Sequence, residues 1–133
     1  LALIFFMLFK NSLTFNEMTM LKMNEEENKY IYNIKANEIF RFEDIPFRGY
    51  EYIYDEDLTS LWDFKSKDQT NFAHTNPNAT LTDFKGNIHV IQIINMYKEK
   101  KLFAIEFKLL SEYVIPKNIS NGSLFIDSIG KLK

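Results

Sequence analysis

The sequence contains no cysteine, only two histidines and no excess of basic charge. Without cysteine the chain cannot form a disulfide scaffold, a thiolate metal site or a cysteine nucleophile, so its stability has to come from packing. Sixteen basic and eighteen acidic residues give a net charge of −2, which lacks the attraction for phosphate groups that nucleic-acid-binding and lipid-binding surfaces need. We therefore predict no nucleic-acid partner and no stable membrane insertion.

The motifs of the common enzyme classes are also missing. There is no Gly-x-Ser-x-Gly nucleophile elbow and no glycine-rich phosphate loop. His74 and His89 have no clustered carboxylates at metal-ligand spacing, which indicates a loop residue and a strand residue rather than a metal site. The single tryptophan, Trp62, is interpreted as a core residue. We predict a protein that is not an enzyme and that holds no metal or cofactor.

A length of 133 residues, of which 46% are hydrophobic, suits one globular core. From Lys29 onward, apolar and polar residues alternate with a period of two, which is typical of half-buried strands. The stretches with this alternation or with a buried β-rich run are YIYNI, IFRFE, GYEYIYD, NIHVIQII, LFAIEFK and SLFIDSI. Six or seven short strands separated by turn-rich pieces predict an all-β antiparallel sandwich or barrel over residues 28–133.

The N-terminal part has a different composition. Residues 1–9 are an unbroken apolar run, too short to cross a bilayer and suited to the apolar centre of a truncated signal peptide. A buried N-terminal helix or strand is the alternative. Residues 16–29 are polar, acidic and free of glycine and proline, which favours a helical or disordered connector. We therefore interpret residues 1–27 as an extension that precedes the domain.

Three Asn-x-Ser/Thr triplets begin at Asn78, Asn118 and Asn121. Such triplets accept N-linked glycans when they lie in surface loops of a secreted protein. Together with the apolar N-terminal run, they favour a protein that is secreted or that lies within the secretory and endolysosomal pathway.

The stretch "IPFRGY" followed by "EYIYD" has two interpretations. Arg48-Gly49-Tyr50 followed by alternating tyrosines is similar to the base-stacking strand of RNA-recognition domains, but carboxylates occupy two positions of that pattern and no crossover helix precedes it. The other interpretation is a tight loop between Pro46 and Gly49 that enters a strand at Tyr50. A half-buried strand with tyrosines on one face needs no ligand at all.

The order of elements resembles the chagasin-like inhibitors of papain-family cysteine proteases. Residues 45–50 correspond to the family's first inhibitory loop, of which Pro46, Gly49 and the aromatic Tyr50 match. "GNIHVIQIINMYKEKKLFAIEFKLLSEY" corresponds to the second loop, a strand, a turn and the strand that enters the third loop. Only Gly86 remains of the glycine-rich second loop, and residues 109–113 replace the usual Arg-Pro-Trp of the third. The resemblance covers about residues 29–129.

This resemblance implies an immunoglobulin-like sandwich whose three loops at one end block a protease cleft. The chain would then be a monomeric, reversible inhibitor, and its partner a papain-family cysteine protease. The implied protease-binding residues are, by loop, Pro46, Phe47, Arg48, Gly49 and Tyr50; Leu81, Thr82 and Phe84; and Leu110, Glu112 and Tyr113. The alternative is a secreted adhesion or protein-binding module without inhibitory activity, which would use an edge strand or a sheet face.

Overall fold

The computed structural model describes residues 7–43, 50–112 and 114–132 of the chain. It contains seven strands and one short helix, which in chain order are β1 (Met7–Asn24), β2 (Lys29–Glu43), β3 (Tyr50–Tyr52), α1 (Asp55–Thr59), β4 (Asn78–Thr82), β5 (Ile88–Glu99), β6 (Leu102–Leu109) and β7 (Asn118–Leu132). Every strand pairing is antiparallel. The prediction of an all-β antiparallel protein is therefore confirmed. Among the residues that the structure describes, no helix is long and apolar enough to span a membrane.

The sheet closes on itself. Its strands follow the order β1-β7-β4-β5-β6-β2, and β2 pairs with β1 to complete a six-stranded barrel. The short strand β3 lies outside this ring. It pairs with the second half of β2, whereas β6 pairs only with the first half. Closure gives each of the six ring strands a paired neighbour on both sides, which removes much of the row of unpaired backbone groups that an open sheet exposes. The immunoglobulin-like sandwich is not confirmed, because one continuous ladder connects all the strands.

Residues 7–24 form β1, where the sequence had suggested a signal-like run followed by a helical or disordered connector. This strand pairs with β2 along one edge and with β7 along the other, so it belongs to the barrel. Leu13 and Phe15 are buried, and so is Met18, but the ladder is irregular between Phe15 and Glu17. A β-bulge adds one residue and moves the inward face from odd to even positions, which hides the period of two. Residues 1–6 lie outside the described residues.

The registers place three connections at one end of the barrel, which we call the hairpin end. Asn24 pairs with Lys29 across the β1–β2 turn, and Lys29 in turn pairs with Lys108 near the end of β6. Thr82 pairs with Ile88 across the β4–β5 turn. The hairpin end therefore comprises the β1–β2 turn (25–28), the β4–β5 turn (83–87) and the β6–β7 connection (110–117).

A long connection, residues 53–77, covers the opposite end. It contains α1, in which Leu58 is fully buried, and it carries Trp62 and Phe72, whose rings lie 5.1 Å apart and are both buried. The prediction that Trp62 is a core residue is confirmed. Two side chains bind α1 to the barrel: Lys98 of β5 pairs with Asp55 at 2.6 Å, and the guanidinium of Arg41 donates to the carbonyl of Asp57 at 3.4 Å.

The barrel interior is filled by apolar side chains from every strand of the ring. The largest fully buried side chains of these strands are Tyr32, Phe15, Phe107, Leu13, Met18, Ile34, Leu81, Ile91, Ile93, Met96 and Ile105, and Leu58 of α1 is fully buried as well. Tyr32 reaches the hairpin end, where its hydroxyl donates to the carbonyl of Pro116 at 2.7 Å. Ile115 is buried beside it, so the β6–β7 connection covers the barrel opening at this end.

Candidate functional site

The structure brings together the residues implied for the second and third loops. Thr82 ends β4, Phe84 follows it in the β4–β5 turn, and Leu110 and Glu112 lie in the β6–β7 connection. All four therefore belong to the hairpin end. Leu81 precedes them but is fully buried, with its side chain in the core rather than on a contact surface. Tyr113 lies outside the described residues.

The residues implied for the first loop are not at this end. Tyr50 pairs with Phe42 at the far end of β2, so it lies at the end of the barrel that carries residues 53–77. Pro46, Phe47, Arg48 and Gly49 lie outside the described residues. The structure therefore separates Tyr50 from Phe84 and Leu110 by the length of the barrel. A contact surface made of all three implied loops at one end does not form around these residues.

The β4–β5 turn is held in shape by Asp83. One of its carboxylate oxygens accepts the backbone N–H groups of Lys85 and Asn87, both at 2.9 Å, and the other accepts the side-chain amide of Asn87 at 2.9 Å. Gly86 has a φ of +85°, a conformation that residues with a Cβ rarely adopt, and its N–H donates to the carbonyl of Asp83. The turn is therefore fixed by its own hydrogen bonds without a partner.

The same hydrogen bonds set the electrostatics of the turn. The side-chain amide of Asn87, followed by the backbone amides of Asn87 and Lys85, lowers the pKa of Asp83 below its ordinary value. Hydrogen bonds that favour a charged carboxylate have this effect. Asp83 is consequently ionised under neutral conditions, and the backbone N–H of Lys85 is one of the groups that donate to it.

Phe84 is the exposed feature of this turn, with 81% of its surface open to solvent. Ile88 and Val90 follow on the outer face of β5 and are also exposed. Leu110 lies next to Val90, because its N–H donates to the Val90 carbonyl at 2.8 Å, and about half of Leu110 is exposed. We call Phe84, Ile88, Val90 and Leu110 the hairpin-end apolar residues.

The β6–β7 connection is also restrained where it leaves β6. Ser111 donates its N–H to the Val90 carbonyl and accepts the Val90 N–H on its hydroxyl oxygen at 3.3 Å. Asn28, in the β1–β2 turn with a φ of +55°, donates its side-chain amide to the carbonyl of Leu109 at 2.6 Å. Hydrogen bonds therefore hold the backbone of the residues on both sides of Leu110.

Residues that the structure describes at the hairpin end line two grooves. The first, with a volume of about 380 Å³, separates the β4–β5 turn from the start of β7 and has Phe84 on one wall. We call it the Phe84 groove. The second, of about 610 Å³, lies between the β1–β2 turn and the β6–β7 connection, and Met20, Met23 and Val114 are among its lining residues. Glu112 lines the second groove only, so the implied third loop faces a different groove from Phe84.

The three possible glycan acceptors are exposed, but they lie in strands rather than in the predicted surface loops. Asn78 begins β4, Asn118 begins β7 and Asn121 lies three residues further along β7. Asn118 and Asn121 line the Phe84 groove. Asn78 pairs with Gln92 and lies at the other end of β4.

The histidines occupy the predicted kinds of position. His74 is in the connection before β4, and His89 is in β5. His89 is buried and faces the interior opposite Leu81. Among the residues that the structure describes, no three acidic or histidine side chains come together in a way that could hold a metal ion.

Sequence reasoning did not identify Asp83, Asn87 or Ser120 as parts of this surface. The spacing of Asp83 and Gly86 is a turn signal that could have indicated a fixed hairpin, because aspartate accepts backbone amides two residues on and glycine permits a positive φ. Nothing local indicates that Ser120 of β7 faces Phe84. Comparison of the chain with protein-family models finds no match, and comparison with curated proteins and with solved structures finds none either.

Proposed function

We propose that this chain is a non-catalytic protein-binding module that contacts its partner with the hairpin end of the barrel. The observation that carries this proposal is an aromatic ring, Phe84, held almost fully in solvent by a turn whose shape is fixed by Asp83. A soluble domain gains nothing in stability from such a ring. Aromatic residues are the usual anchors of protein interfaces, and a turn that is already ordered loses little entropy on binding.

The partner class that we propose to test first is the papain-family cysteine peptidases. This choice rests on the resemblance of residues 29–129 to chagasin-like inhibitors. Two of the three implied loops, those that carry Phe84 and Leu110, lie at the same end and could contact the two sides of a peptidase cleft. Tyr50 lies at the other end, so the proposed inhibitor works with two loops, and the loop around Gly49 is not part of its contact surface.

A peptidase partner of this family is consistent with our expectation that the chain is secreted or enters the endolysosomal pathway. The alternative, a binding module without inhibitory activity, uses the same surface for a different partner. The two differ in one respect only: an inhibitor has to cover the catalytic cleft, whereas a binding module can contact any face of its partner. Inhibition of peptide hydrolysis separates them.

The test is a titration of the full chain against a panel of papain-like peptidases, with residual hydrolysis of a small peptide substrate as the readout. We expect inhibition at or below micromolar concentration, weakened at least tenfold by Phe84→Ala, since loss of a central aromatic anchor costs about 2 kcal/mol or more. Phe64→Ala is the matched control, because Phe64 is also an exposed phenylalanine but lies in the connection before β4. It should leave inhibition unchanged.

Gly49→Glu distinguishes the two-loop surface from the three-loop surface that the resemblance implies. If Gly49→Glu abolishes inhibition and Phe84→Ala does not, the proposed contact surface is wrong. If a folded sample inhibits none of the peptidases, the proposed partner class is wrong.

A further inference from the structure

The Phe84 groove is lined by more neutral polar side chains than a protein–protein contact requires. Phe84 forms one wall, and the start of β7 supplies three neutral polar side chains on the other, namely Asn118, Ser120 and Asn121. Asn87 of the turn completes this set. Each asparagine offers both a donor and an acceptor, and serine does the same with one hydroxyl. The groove therefore combines one flat apolar surface with several neutral groups that can each donate and accept.

Register explains why these side chains meet. Thr82 of β4 pairs with Ser123 of β7. Phe84 follows Thr82 by two residues, in the β4–β5 turn, and Asn121 precedes Ser123 by two residues in β7, so both residues line the same groove. Gly122 allows the close approach of the two strands, because its missing Cβ leaves room for the Phe15 ring and the Thr82 carbonyl. Asn121 itself adopts a φ of +50°, which asparagine tolerates better than most residues.

The polar groups of the groove are available for a ligand. The side chains of Asn118, Ser120 and Asn121 make no hydrogen bond to any other group in the part of the chain that the structure describes. By contrast, both carboxylate oxygens of Asp83 already accept hydrogen bonds within the turn. The charges of Asp83 and Lys85 also offset each other at the groove, so neither an anion nor a cation is favoured. A neutral ligand rich in hydroxyl groups fits these conditions.

We propose that the Phe84 groove binds a pyranose sugar. The C–H face of the ring packs on Phe84, and the hydroxyl or acetamido groups exchange hydrogen bonds with Asn118, Ser120 and Asn121. The volume of about 380 Å³ lies at the lower end of the range for small-molecule sites, which suits one or two sugar rings. The proposal goes beyond the proposed function, because sugar binding requires no peptidase.

Two sources can supply such a sugar. One is a glycan of another molecule, which would diffuse to the groove. The other is a glycan carried by this chain, because Asn118 and Asn121 are both possible acceptors and both line the groove. Asn78, the third possible acceptor, lies at the far end of β4 and serves as an internal control.

The first experiment uses the full chain produced in bacteria, which attach no such glycans, and follows its backbone amide signals by NMR during titration. The probes are methyl mannoside, N-acetylglucosamine and its β1,4-linked disaccharide. Glucitol is the matched control ligand, because it has the hydroxyl groups of a hexose but no rigid ring face. We expect the ring sugars to shift the signals of Phe84, Asn118 and Asn121 with a dissociation constant on the order of 1 mM, and glucitol to shift none of them.

Variants test the role of the ring. Phe84→Ala should weaken sugar binding at least tenfold, whereas Phe84→Tyr should retain it and Phe64→Ala should leave it unchanged. The proposal is overturned if no ring sugar shifts the groove signals, if glucitol matches the ring sugars, or if Phe84→Ala binds as well as the original chain. If the original chain inhibits a peptidase but binds none of the ring sugars, this inference is overturned and the proposed function stands.

A second preparation, secreted from mammalian cells, identifies the source of the sugar. A glycan on Asn118 or Asn121 is detected by intact mass before and after enzymatic glycan removal, and Asn118→Gln, Asn121→Gln and Asn78→Gln assign its position. If the chain's own glycan on Asn121 fills the groove, the glycosylated protein should not respond to added sugar until Ser123→Ala removes that triplet without changing a residue that lines the groove, and Asn78→Gln should have no effect. Equal responses of both preparations would identify an external glycan as the ligand.

Discussion

Gly122→Ala tests the packing on which the hairpin end depends. A Cβ at this position would lie 2.6 Å from Cζ and 3.2 Å from Cε1 of Phe15, and still closer to the carbonyl oxygen of Thr82. Phe15 is buried in the core and the Thr82 oxygen belongs to the backbone, so neither neighbour can move aside freely. The variant therefore forces the strands β1, β7 and β4 apart where they meet.

The expected loss of stability is large for a single methyl group. Adding a methyl group to a well-packed core costs about 1–3 kcal/mol, and we expect about 3 kcal/mol here because a backbone atom is one of the two obstacles. Gly86→Ala is the matched control: its φ of +85° makes alanine unfavourable, but no atom lies within 4 Å of the added Cβ. That change should cost only about 1–2 kcal/mol.

Urea denaturation followed by circular dichroism measures both variants. With a slope of about 1–3 kcal/mol per molar urea, the Gly122→Ala midpoint should fall by about 1–3 M. Adding Phe15→Leu to Gly122→Ala should recover part of the loss, since it removes the ring that contacts the new methyl group, and a double-mutant cycle would then give a coupling energy above about 0.5 kcal/mol. Equal losses for Gly122→Ala and Gly86→Ala would refute the proposed packing of Phe15 over Gly122.

Two further predictions concern protonation and the hairpin end. Hydrogen bonds lower the pKa of Asp83 in the folded chain, so the stability that its carboxylate adds to the turn is present above the ordinary aspartate pKa and is lost as the pH falls through the folded value. The protection factors of the Lys85 and Asn87 amides, corrected for the intrinsic exchange rate at each pH, should therefore fall in acid, and Asp83→Asn should remove that pH dependence. Burial, followed by the neighbouring Tyr30, raises the pKa of Tyr32, so the folded chain keeps the phenolic proton that the unfolded chain loses above about pH 10. The free energy of unfolding should consequently decline in alkaline solution, and Tyr32→Phe should flatten this decline. Near neutral pH the same variant should cost about 1–2 kcal/mol, because it leaves the Pro116 carbonyl unpaired.

Both protonation predictions have a clear contrary outcome. Unchanged protection factors of the Lys85 and Asn87 amides across the acid range would mean that Asp83 does not hold the turn. For Tyr32, the control is Tyr54→Phe, because Tyr54 is 78% exposed and its hydroxyl contributes little to packing. If Tyr32→Phe and Tyr54→Phe have the same alkaline stability profile as the original chain, the buried hydroxyl of Tyr32 is not the group that titrates.

The strands that were predicted correctly are those in which local pattern and burial agree. In β6, Phe103, Ile105 and Phe107 alternate on the inward face as the sequence indicates. The sequence predicts two separate strands, YIYNI and IFRFE, but Lys29–Glu43 is one strand, because β1 pairs with it along almost its whole length. The strand β4 is absent from the predicted strands, since Asn78–Thr82 is short and contains only two buried side chains.

The candidate site could be predicted only in part. The resemblance identified Phe84 and Leu110, which the structure places at one end of the barrel. It also implied that Tyr50 lies with them, whereas Tyr50 pairs at the opposite end. A family resemblance in the order of elements carries no information about which end each loop reaches once the sheet closes in a different way.

The sequence by itself determined that the protein is built of antiparallel strands, because alternation is a local property, and that Trp62, as a large apolar ring, is buried. Tertiary structure decided that β1 belongs to the ring and that Phe84 faces Asn118 and Asn121. These arrangements depend on contacts between distant segments, such as the hydrogen bond from Ser12 to the carbonyl of Leu124, 112 residues away. Residues so far apart in the chain are brought together only by closure of the barrel, and no local sequence pattern predicts that pairing.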